Sequence, residues 1–458
     1  MAGLAVHAPH DGSVLATLEQ DDQDVVDAKV RSANAAMGEW AARGPMERAE
    51  ALLGIARDTE GEIEALARSL SLEQGKTVKE ARIELERYVG PFIQYAGMAT
   101  VPSGSTVRLS PGARGLVERG PVGVVGAIVP WNFPASLFGT KLAPALAAGC
   151  GFVIKPAPTT PLTTIRLAEI AASHLPDGLL QVVVGGADVG RALVGHDLVR
   201  RVAFTGSTAV GRDVAQQAGA GLKRVSIEAG GCDPFVLCED ADLRSAARAL
   251  MGTRFYNAGQ VCVAPKRLIA HEQVVDDIVA LMEERIGRVR LGPGTDPEST
   301  MGPLHTAAGR DRLEEQIEDA VDHGAELVGG GRPDGVALQH GSFLAPALLV
   351  APDQSARVRV EETFGPVLTI LPVGDDEEAV RVANETPYGL GASVWSGDQD
   401  RAFRLGRQID AGYTWINTLG RVYDELPFGG VKASGFGREH GEEALESYLE
   451  PRTFVYAT

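Results

Sequence analysis

Cys262 lies in Asn257-Ala-Gly-Gln-Val-Cys-Val-Ala-Pro265, a glycine-containing turn between a predicted helix and a predicted strand. Such a turn can expose a thiol to a cleft. The thiolate is the nucleophile, so donors must lower the thiol's pKa or a base must take its proton. Glu228 ends the apolar run Val225-Ser-Ile-Glu228 and precedes Ala229-Gly-Gly231. At the carboxyl end of a parallel strand its carboxylate faces the ligand crevice, where partial burial raises the pKa and suits a general base. Asn132 follows Trp131 at the end of another apolar run and offers a neutral N–H donor for a developing oxyanion. Each also has a plainer reading alone: a buried cysteine, a strand-end glutamate, a turn asparagine. Cys150, Cys232 and Cys238 sit in apolar contexts and read as structural.

Thr205-Gly206-Ser207 follows a strand and opens a helix, with Gly211 one turn further on. Backbone N–H groups and the helix dipole favour a phosphate there. Lys155, ending another strand, could bond a ribose or a phosphate. The usual GxGxxG spacing is absent, so the sheet topology carries this inference more than the glycines do. A thiol adding to an aldehyde makes an oxyanion and a carbon with a transferable hydride, for which a dinucleotide serves as acceptor.

The elements that must hold these groups follow from periodicity. Residues 21–100 read as helical, with long Ala/Glu/Arg/Leu stretches of period near 3.6. Residues 105–121 alternate and turn as a β-ribbon does. From Val122 the chain reads βαβα: strands at Val122–Val129, Gly151–Lys155, Leu179–Val184, Val199–Phe204 and Arg224–Glu228, with helices between. Thr160 reads as an N-cap with Pro161 at the first helical position. A second βα series, from about Asp233 to Phe428, places strands at Phe235–Cys238, Lys266–Ala270, Ala347–Val350 and Val367–Val373. Alternation of this kind implies an α/β fold with a mostly parallel, doubly wound sheet. The end, Thr453 to Thr458, alternates with large residues and suggests a strand pairing with the ribbon between subunits.

Composition excludes several classes. With 43 Lys+Arg against 61 Asp+Glu the net charge is -18, which argues against nucleic acid or an anionic membrane as partner. Four cysteines are too few for a disulfide scaffold, and neither CxxC nor HExxH occurs, so no metal site is expected. The longest apolar stretch, Leu142 to Ile154, is too short for a span of about 20 residues. No signal peptide is visible, and the expected location is the cytoplasm.

The ordered motifs Pro130-Trp-Asn-Phe-Pro134, Lys155-Pro-Ala157, Phe204-Thr-Gly-Ser207, Glu228-Ala-Gly-Gly231, Gly259-Gln-Val-Cys262, Glu361-Glu-Thr-Phe-Gly-Pro366, Asn384 to Ser393 and Pro427-Phe-Gly-Gly-Val-Lys-Ala-Ser-Gly435, with Gly437-Arg-Glu439, run almost end to end. In these the chain resembles the NAD(P)-dependent aldehyde dehydrogenase superfamily. The resemblance implies a doubly wound cofactor domain (1–101 and 122–230), an α/β catalytic domain (231–428), oligomerisation strands (102–121 and 446–458) and a return to the cofactor domain (429–445). It implies a homodimer or homotetramer. It also implies oxidation of an aldehyde to an acid, with Cys262 as nucleophile, Asn132 and the Cys262 N–H as oxyanion hole, and Glu228 activating the hydrolytic water.

By the same resemblance Lys141 and Glu439 lie near the base, for proton exit. Lys155 contacts the adenosine ribose, Thr205, Gly206, Ser207 and Gly211 the pyrophosphate turn, and Trp131 the cofactor cleft, while Glu362 and Phe364 meet the nicotinamide ribose. Phe133, Leu137, Thr140, Tyr256, Val261, Val263 and the 418–428 loop, with Arg421 and Phe428, fall at the substrate tunnel. Pro158 stands where many NAD-preferring members carry a glutamate that binds the ribose hydroxyls and repels a 2′-phosphate. NAD or NADP is therefore expected, with NADP tolerated. Neither Thr140 nor Tyr256 is the arginine that succinate semialdehyde enzymes resemble one another in having, which points to a neutral, medium-sized aliphatic or aromatic aldehyde. A semialdehyde, or a CoA-acylating reaction, is the alternative; Glu228 favours hydrolysis.

Overall fold

The computed structural model describes residues 3–100, 104–333, 335–418 and 420–457. Residues 1–2, 101–103, 334, 419 and 458, which fall within the domain, ribbon, tunnel-loop and terminal-strand ranges expected above, lie outside the described residues.

A short hairpin, β1 (Leu4–His7) and β2 (Val14–Leu18), precedes three long helices. Helix α1 (Gln23–Ala42) is capped by Asp22, whose carboxylate accepts from Val25 N–H at 2.9 Å. Helix α2 (Pro45–Gln74) starts on proline and stops at Gly75, whose φ of +106° suits a left-handed helix end. Helix α3 (Val78–Ala99) opens with a reciprocal box: Thr77 Oγ1 accepts from Glu80 N–H, and the Glu80 carboxylate accepts from Thr77 N–H. Their apolar stripes, including Trp40, Leu85, Tyr88 and Phe92, bury against α4 (Pro134–Ala148).

The ribbon β3 (Gly104–Ser110) and β4 (Ala113–Pro121) leads into a parallel set: β5 (Val124–Ile128), β6 (Gly151–Lys155), β7 (Leu180–Val182), β8 (Val199–Thr205) and β9 (Arg224–Glu228). Helices α5 (Leu162–Ala172), α6 (Ala187–Gly195) and α7 (Thr208–Ala220) link them. The second sheet takes β10 (Asp233–Leu237), β11 (Pro265–His271), β12 (Glu326–Gly329), β13 (Ala347–Val350), β14 (Val367–Val373), β15 (Gly391–Trp395) and β16 (Tyr413–Ile416) in the order β12-β13-β14-β11-β10-β15-β16. All its pairings are parallel except β12 with β13. Helix α8 (Leu243–Arg254) leads towards the Cys262 turn. Strand β17 (Gly435–Phe436) then pairs antiparallel with β9, giving the first sheet the order β17-β9-β8-β5-β6-β7.

The last strand, β18 (Leu449–Ala457), pairs antiparallel with β4 of its own chain over nine residue pairs, so the ribbon's first partner is internal. It begins four residues before the alternating stretch legible in the sequence and stops the helix Gly441–Ser447. The start of α5 also differs from expectation. The helix begins at Leu162, not Pro161, and the Thr160 hydroxyl has no partner. The orphan N–H groups are capped from elsewhere: the buried Glu73 carboxylate accepts from Leu162 at 2.8 Å and from Thr163 at 2.9 Å. Strand β15 gave no sequence signal because Gly391-Ala-Ser lacks the β-branched residues that mark buried strands.

Candidate active site

Glu228 ends β9 of the first sheet, Cys262 lies in the turn before β11 of the second, and Asn132 follows β5; Glu228 adjoins Cys262, and Asn132 bonds the same turn. The turn that carries Cys262 is held by an unusual backbone. Asn257 and Ala258 both have φ of +51° and Gly259 has φ of +73°, three consecutive left-handed residues. A Cβ on Gly259 would stand 2.2 Å from the Gly365 carbonyl oxygen, so only glycine fits. Arg254, wholly buried at the end of α8, holds the arrangement. Its guanidinium donates to the carbonyls of Gly259 (3.2 Å), Thr363 (2.7 Å), Val367 (2.7 Å) and Gly365. It thereby ties the Cys262 turn to the segment carrying Glu362 and Phe364. Lys266 donates to the backbone carbonyls of Val261 and Cys262 and stands 3.8 Å from Glu362.

Glu228 ends β9, buried, and neither carboxylate oxygen has a hydrogen-bond partner. Burial, and next Glu439, push its pKa up to about 7; Lys141, the Cys262 thiol and the Thr205 hydroxyl pull the other way. The Cys262 thiol is pushed well above its ordinary range, first by burial and next by the Glu228 charge. The resting sulfur is thus a thiol beside a base with pKa near neutrality. Lys141 donates to Thr205 Oγ1 at 2.7 Å and to Glu439 Oε1 at 2.5 Å, which joins α4, β8 and the Glu439 segment behind Glu228. Asn132 is buried, and its Nδ2 donates to the Gln260 carbonyl at 3.0 Å, two residues from the sulfur. An amide nitrogen carries two hydrogens, so this bond orients the group and leaves a second donor.

Cys262 opens onto a cavity of about 560 Å³ lined by Phe133, Leu137, Thr140, Val261, Val263, Arg421, Phe428 and Glu439 among others. Tyr256 is outside this lining: it stacks behind Phe133, with ring centroids 5.9 Å apart. Arg421 is exposed at the rim, its guanidinium 5.2 Å from the Tyr423 ring.

Of the residues expected to hold a dinucleotide, Lys155 and Thr205 end β6 and β8 of the first sheet, Trp131 follows β5, and Glu362 and Phe364 precede β14 of the second sheet. Lys155 is buried and donates to the carbonyls of Pro156 (3.0 Å) and Gly185 (2.9 Å), with burial pushing its pKa down to about 8. An ammonium has three hydrogens, so one remains for a ribose hydroxyl or phosphate. Pro158 is half-buried three residues on. Gly206 donates its N–H to the Glu228 carbonyl at 3.1 Å, Ser207 caps α7, and Gly211 donates to the Ser207 carbonyl at 2.8 Å. Thr205 is buried at the end of β8 and spent on Lys141. Trp131 stacks on His305 at 4.6 Å and meets Phe364 edge-on at 5.6 Å. Glu362 accepts from Gly231 N–H at 3.1 Å, and a Cβ on Gly230 would lie 2.4 Å from its Oε2. Burial raises the Glu362 pKa, with Lys266 opposing.

Residues 2–454 match the aldehyde dehydrogenase family. The chain belongs to that family. Among its relatives, phenylacetaldehyde dehydrogenase of Pseudomonas fluorescens is 39% identical, over 99% of this chain and 92% of that protein. Succinate-semialdehyde dehydrogenase [NADP(+)] GabD of Escherichia coli K12 is 38% identical, over 98% and 93%. PnpE, also solved from Pseudomonas sp. WBC-3, superposes in its complex with nicotinamide adenine dinucleotide with a TM-score of 0.97 and 39% identity, covering 99% of this chain and 94% of that one. The α/β architecture is thus that of this family, and the protein is an oxidoreductase that uses NAD or NADP.

Several residues that shape the site were invisible in the sequence reading: Lys76, Glu84, Arg254, Asn257, Lys266 and His305. His305 is buried, bonded to Thr159 Oγ1 at 2.7 Å, and driven down to a pKa of about 4 by burial. The one available signal was charge: a lysine or arginine inside an otherwise apolar or glycine-rich motif.

Proposed function

We propose that the protein oxidises an aldehyde to the carboxylic acid through a covalent adduct on Cys262. The observation that carries this is the thiol at the floor of a 560 Å³ cavity beside a buried glutamate whose oxygens are unpartnered. Glu228 takes the thiol proton as the sulfur bonds to the carbonyl carbon, and the carbonyl oxygen becomes an anion. The free hydrogen of the Asn132 amide, with the Cys262 N–H, stabilises that oxygen. NAD or NADP, held by Lys155, the Thr205–Gly211 turn and Glu362, supplies the two-electron acceptor for the adduct carbon when bound. Once the thiol proton has left Glu228, its carboxylate takes a proton from water, whose oxygen attacks the thioester; the C–S bond breaks and the sulfur leaves as thiolate. Glu439 lines the cavity and shares Lys141 with Thr205, a route for the Glu228 proton to solvent.

The first sheet is read as the cofactor domain, the second as the catalytic domain, and β3, β4 and β18 as the oligomerisation element. Rings of Phe133, Tyr423 and Phe428 with Leu137, Val261 and Val263 favour a neutral, medium-sized aldehyde. A semialdehyde is the second reading, supported by Arg421 at the rim with no ion pair among the described residues, and by the likeness to GabD. Four free cysteines fit the reducing cytoplasm, and no helix among the described residues is long and apolar enough to cross a membrane. The test is a panel of neutral and carboxylate-bearing aldehydes, read by absorbance of the reduced cofactor with NAD and NADP in turn. Cys262→Ala abolishes turnover and leaves cofactor binding intact; residual oxidation by that variant would refute the covalent route.

A further inference from the structure

Three charged residues at and just before the start of α3 are buried rather than solvated. Lys76, Glu80 and Glu84 recur every four residues and are 1%, 8% and 0% exposed. Glu80 and Glu84, four residues apart, share one face of α3, and Lys76, two residues before the helix, reaches Glu84 with its ammonium. That face looks onto both halves of the oxyanion site. Glu84 pairs with the Lys76 ammonium, and its Oε1 accepts from Ala135 N–H at 2.8 Å in the first turn of α4. Lys76 Nζ also donates to the Asn132 backbone carbonyl at 2.8 Å and sits 4.1 Å from the Phe133 ring centroid. Glu80 Oε1 accepts from Asn257 N–H at 2.8 Å, at the left-handed turn before Cys262. Asn257 Nδ2 adds a second donor to the same Asn132 carbonyl, at 3.1 Å.

We propose that Lys76, neutralised by Glu84, is a positioning residue for Asn132: it fixes the Asn132 peptide so that the side-chain amide is aimed at the oxyanion on the Cys262 adduct. The inference rests on the reading of Asn132 as an oxyanion donor. A buried ion pair is poor value as a stability device, because apolar residues of similar volume often do as well or better. This pair instead spends its hydrogen bonds on the Asn132 turn and on the helix start that follows it. Oxyanion donors act through preorganisation, so a small loss of aim costs rate while the fold stands. Lys76 touches neither substrate nor cofactor in this account.

The test is a double-mutant cycle between Lys76→Met/Glu84→Gln and Asn132→Ala. Glutamine at 84 keeps an acceptor for Ala135 N–H while both charges go. Two acylation rates are read: the burst of reduced cofactor with an aldehyde, and cofactor-free hydrolysis of p-nitrophenyl acetate, which needs the same oxyanion support. Asn132→Ala alone lowers both by about 10²–10³-fold. The Lys76→Met/Glu84→Gln protein lowers both by about 10–100-fold, with Tm and the Kd for NAD(P) close to those of the unaltered protein. Adding Asn132→Ala to it then costs less than about tenfold more, because the amide is already misaimed. Rates within twofold of the unaltered protein, or losses that multiply in full with Asn132→Ala, overturn the proposal. Should the neutral pair fail to fold, Lys76→Arg keeps the charge but changes the donor geometry, and the same ratios decide. If Asn132→Ala by itself changes neither rate, the oxyanion reading of Asn132 has failed, independently of Lys76.

Discussion

The buried Glu228 carboxylate adjoins the Cys262 thiol with both of its own oxygens unpartnered, and its charge adds to burial in holding that thiol protonated. In the proposed route Glu228 and Cys262 therefore titrate as neighbours, and the working form is a carboxylate facing a thiol. With the Glu228 pKa pushed up to about 7, turnover limited by thioester hydrolysis falls about tenfold per pH unit well below 7 and levels off above it. The steady-state pH profile of kcat checks this. Glu228→Gln loses the limb and slows turnover by about 10²-fold or more, while a burst of reduced cofactor persists if acylation finds another base in water.

The Lys141–Glu439 pair allows the same assignment to be tested by sign. Glu439 raises the Glu228 pKa and Lys141 lowers it. Glu439→Gln therefore moves the kcat limb to lower pH, and Lys141→Met moves it to higher pH, each by about one pH unit. Opposite displacements in parallel profiles are the expected result. Displacements of the same sign would mean that another group controls the limb.

We propose that cofactor choice turns on Pro158. Lys155 keeps one ammonium hydrogen free, and proline three residues on brings no carboxylate that would repel a 2′-phosphate. The protein accordingly uses NADP with a kcat/KM within about a hundredfold of that for NAD, or about 2.7 kcal/mol. Pro158→Glu lowers kcat/KM for NADP by about 10–100-fold and leaves that for NAD within a few fold. Measuring kcat/KM for both cofactors on both proteins settles the point.

The residues legible in the sequence were those whose place in a strand–turn–helix pattern gave them a direction. Cys262, Glu228 and Asn132 all stand at strand ends or turns, which made a common crevice a coherent reading, and the ordered family motifs singled it out. The residues that aim them were not legible. Lys76, Glu80 and Glu84 form a charged stripe at helical spacing, which in a sequence reads as a solvated face; only the tertiary packing of α2, α3 and α4 reveals it as buried. Arg254 hides likewise, because its partners are backbone carbonyls up to 113 residues away, and Lys266 because its partners are carbonyls of the turn just before it, which carry no side-chain signal. The α5 start was misplaced by one residue for the same reason: Glu73, some 90 residues upstream, does the capping that Thr160 was expected to do. Strands carrying small residues, such as β15, lacked the pattern that marked the others.

Glycines offer a paired test of the Cys262 turn. Gly259 combines φ of +73° with a Cβ position 2.2 Å from a backbone oxygen, whereas Gly61, exposed in the middle of α2, has nothing within 4 Å of its Cβ position. Gly259→Ala destabilises by about 2–4 kcal/mol and displaces Cys262, costing activity beyond the stability loss. Gly61→Ala stabilises by about 0.5–1 kcal/mol and leaves activity unchanged. Denaturant midpoints with unchanged slopes give both numbers.

The three-stranded sheet sets the last prediction. Register places Val107 opposite Gly115 and Gly115 opposite Val455 on one face, while Leu116 and Phe454 pair on the other with Tyr456. Both faces thus carry apolar side chains, and Val107, Leu109, Phe454, Val455 and Tyr456 are all exposed in the single chain. A thin sheet with two apolar faces and two open edges cannot bury either by itself, so a second copy of the chain is its natural cover. Val455→Glu places a charge at 67% exposure in the single chain, where it costs nothing to the monomer, but buries that charge in an assembly. The unaltered protein sediments as a homo-oligomer, and Val455→Glu with Leu109→Glu shifts it towards monomer with secondary structure preserved. Sedimentation of the unaltered protein as a monomer at micromolar concentration would refute this assignment of the sheet.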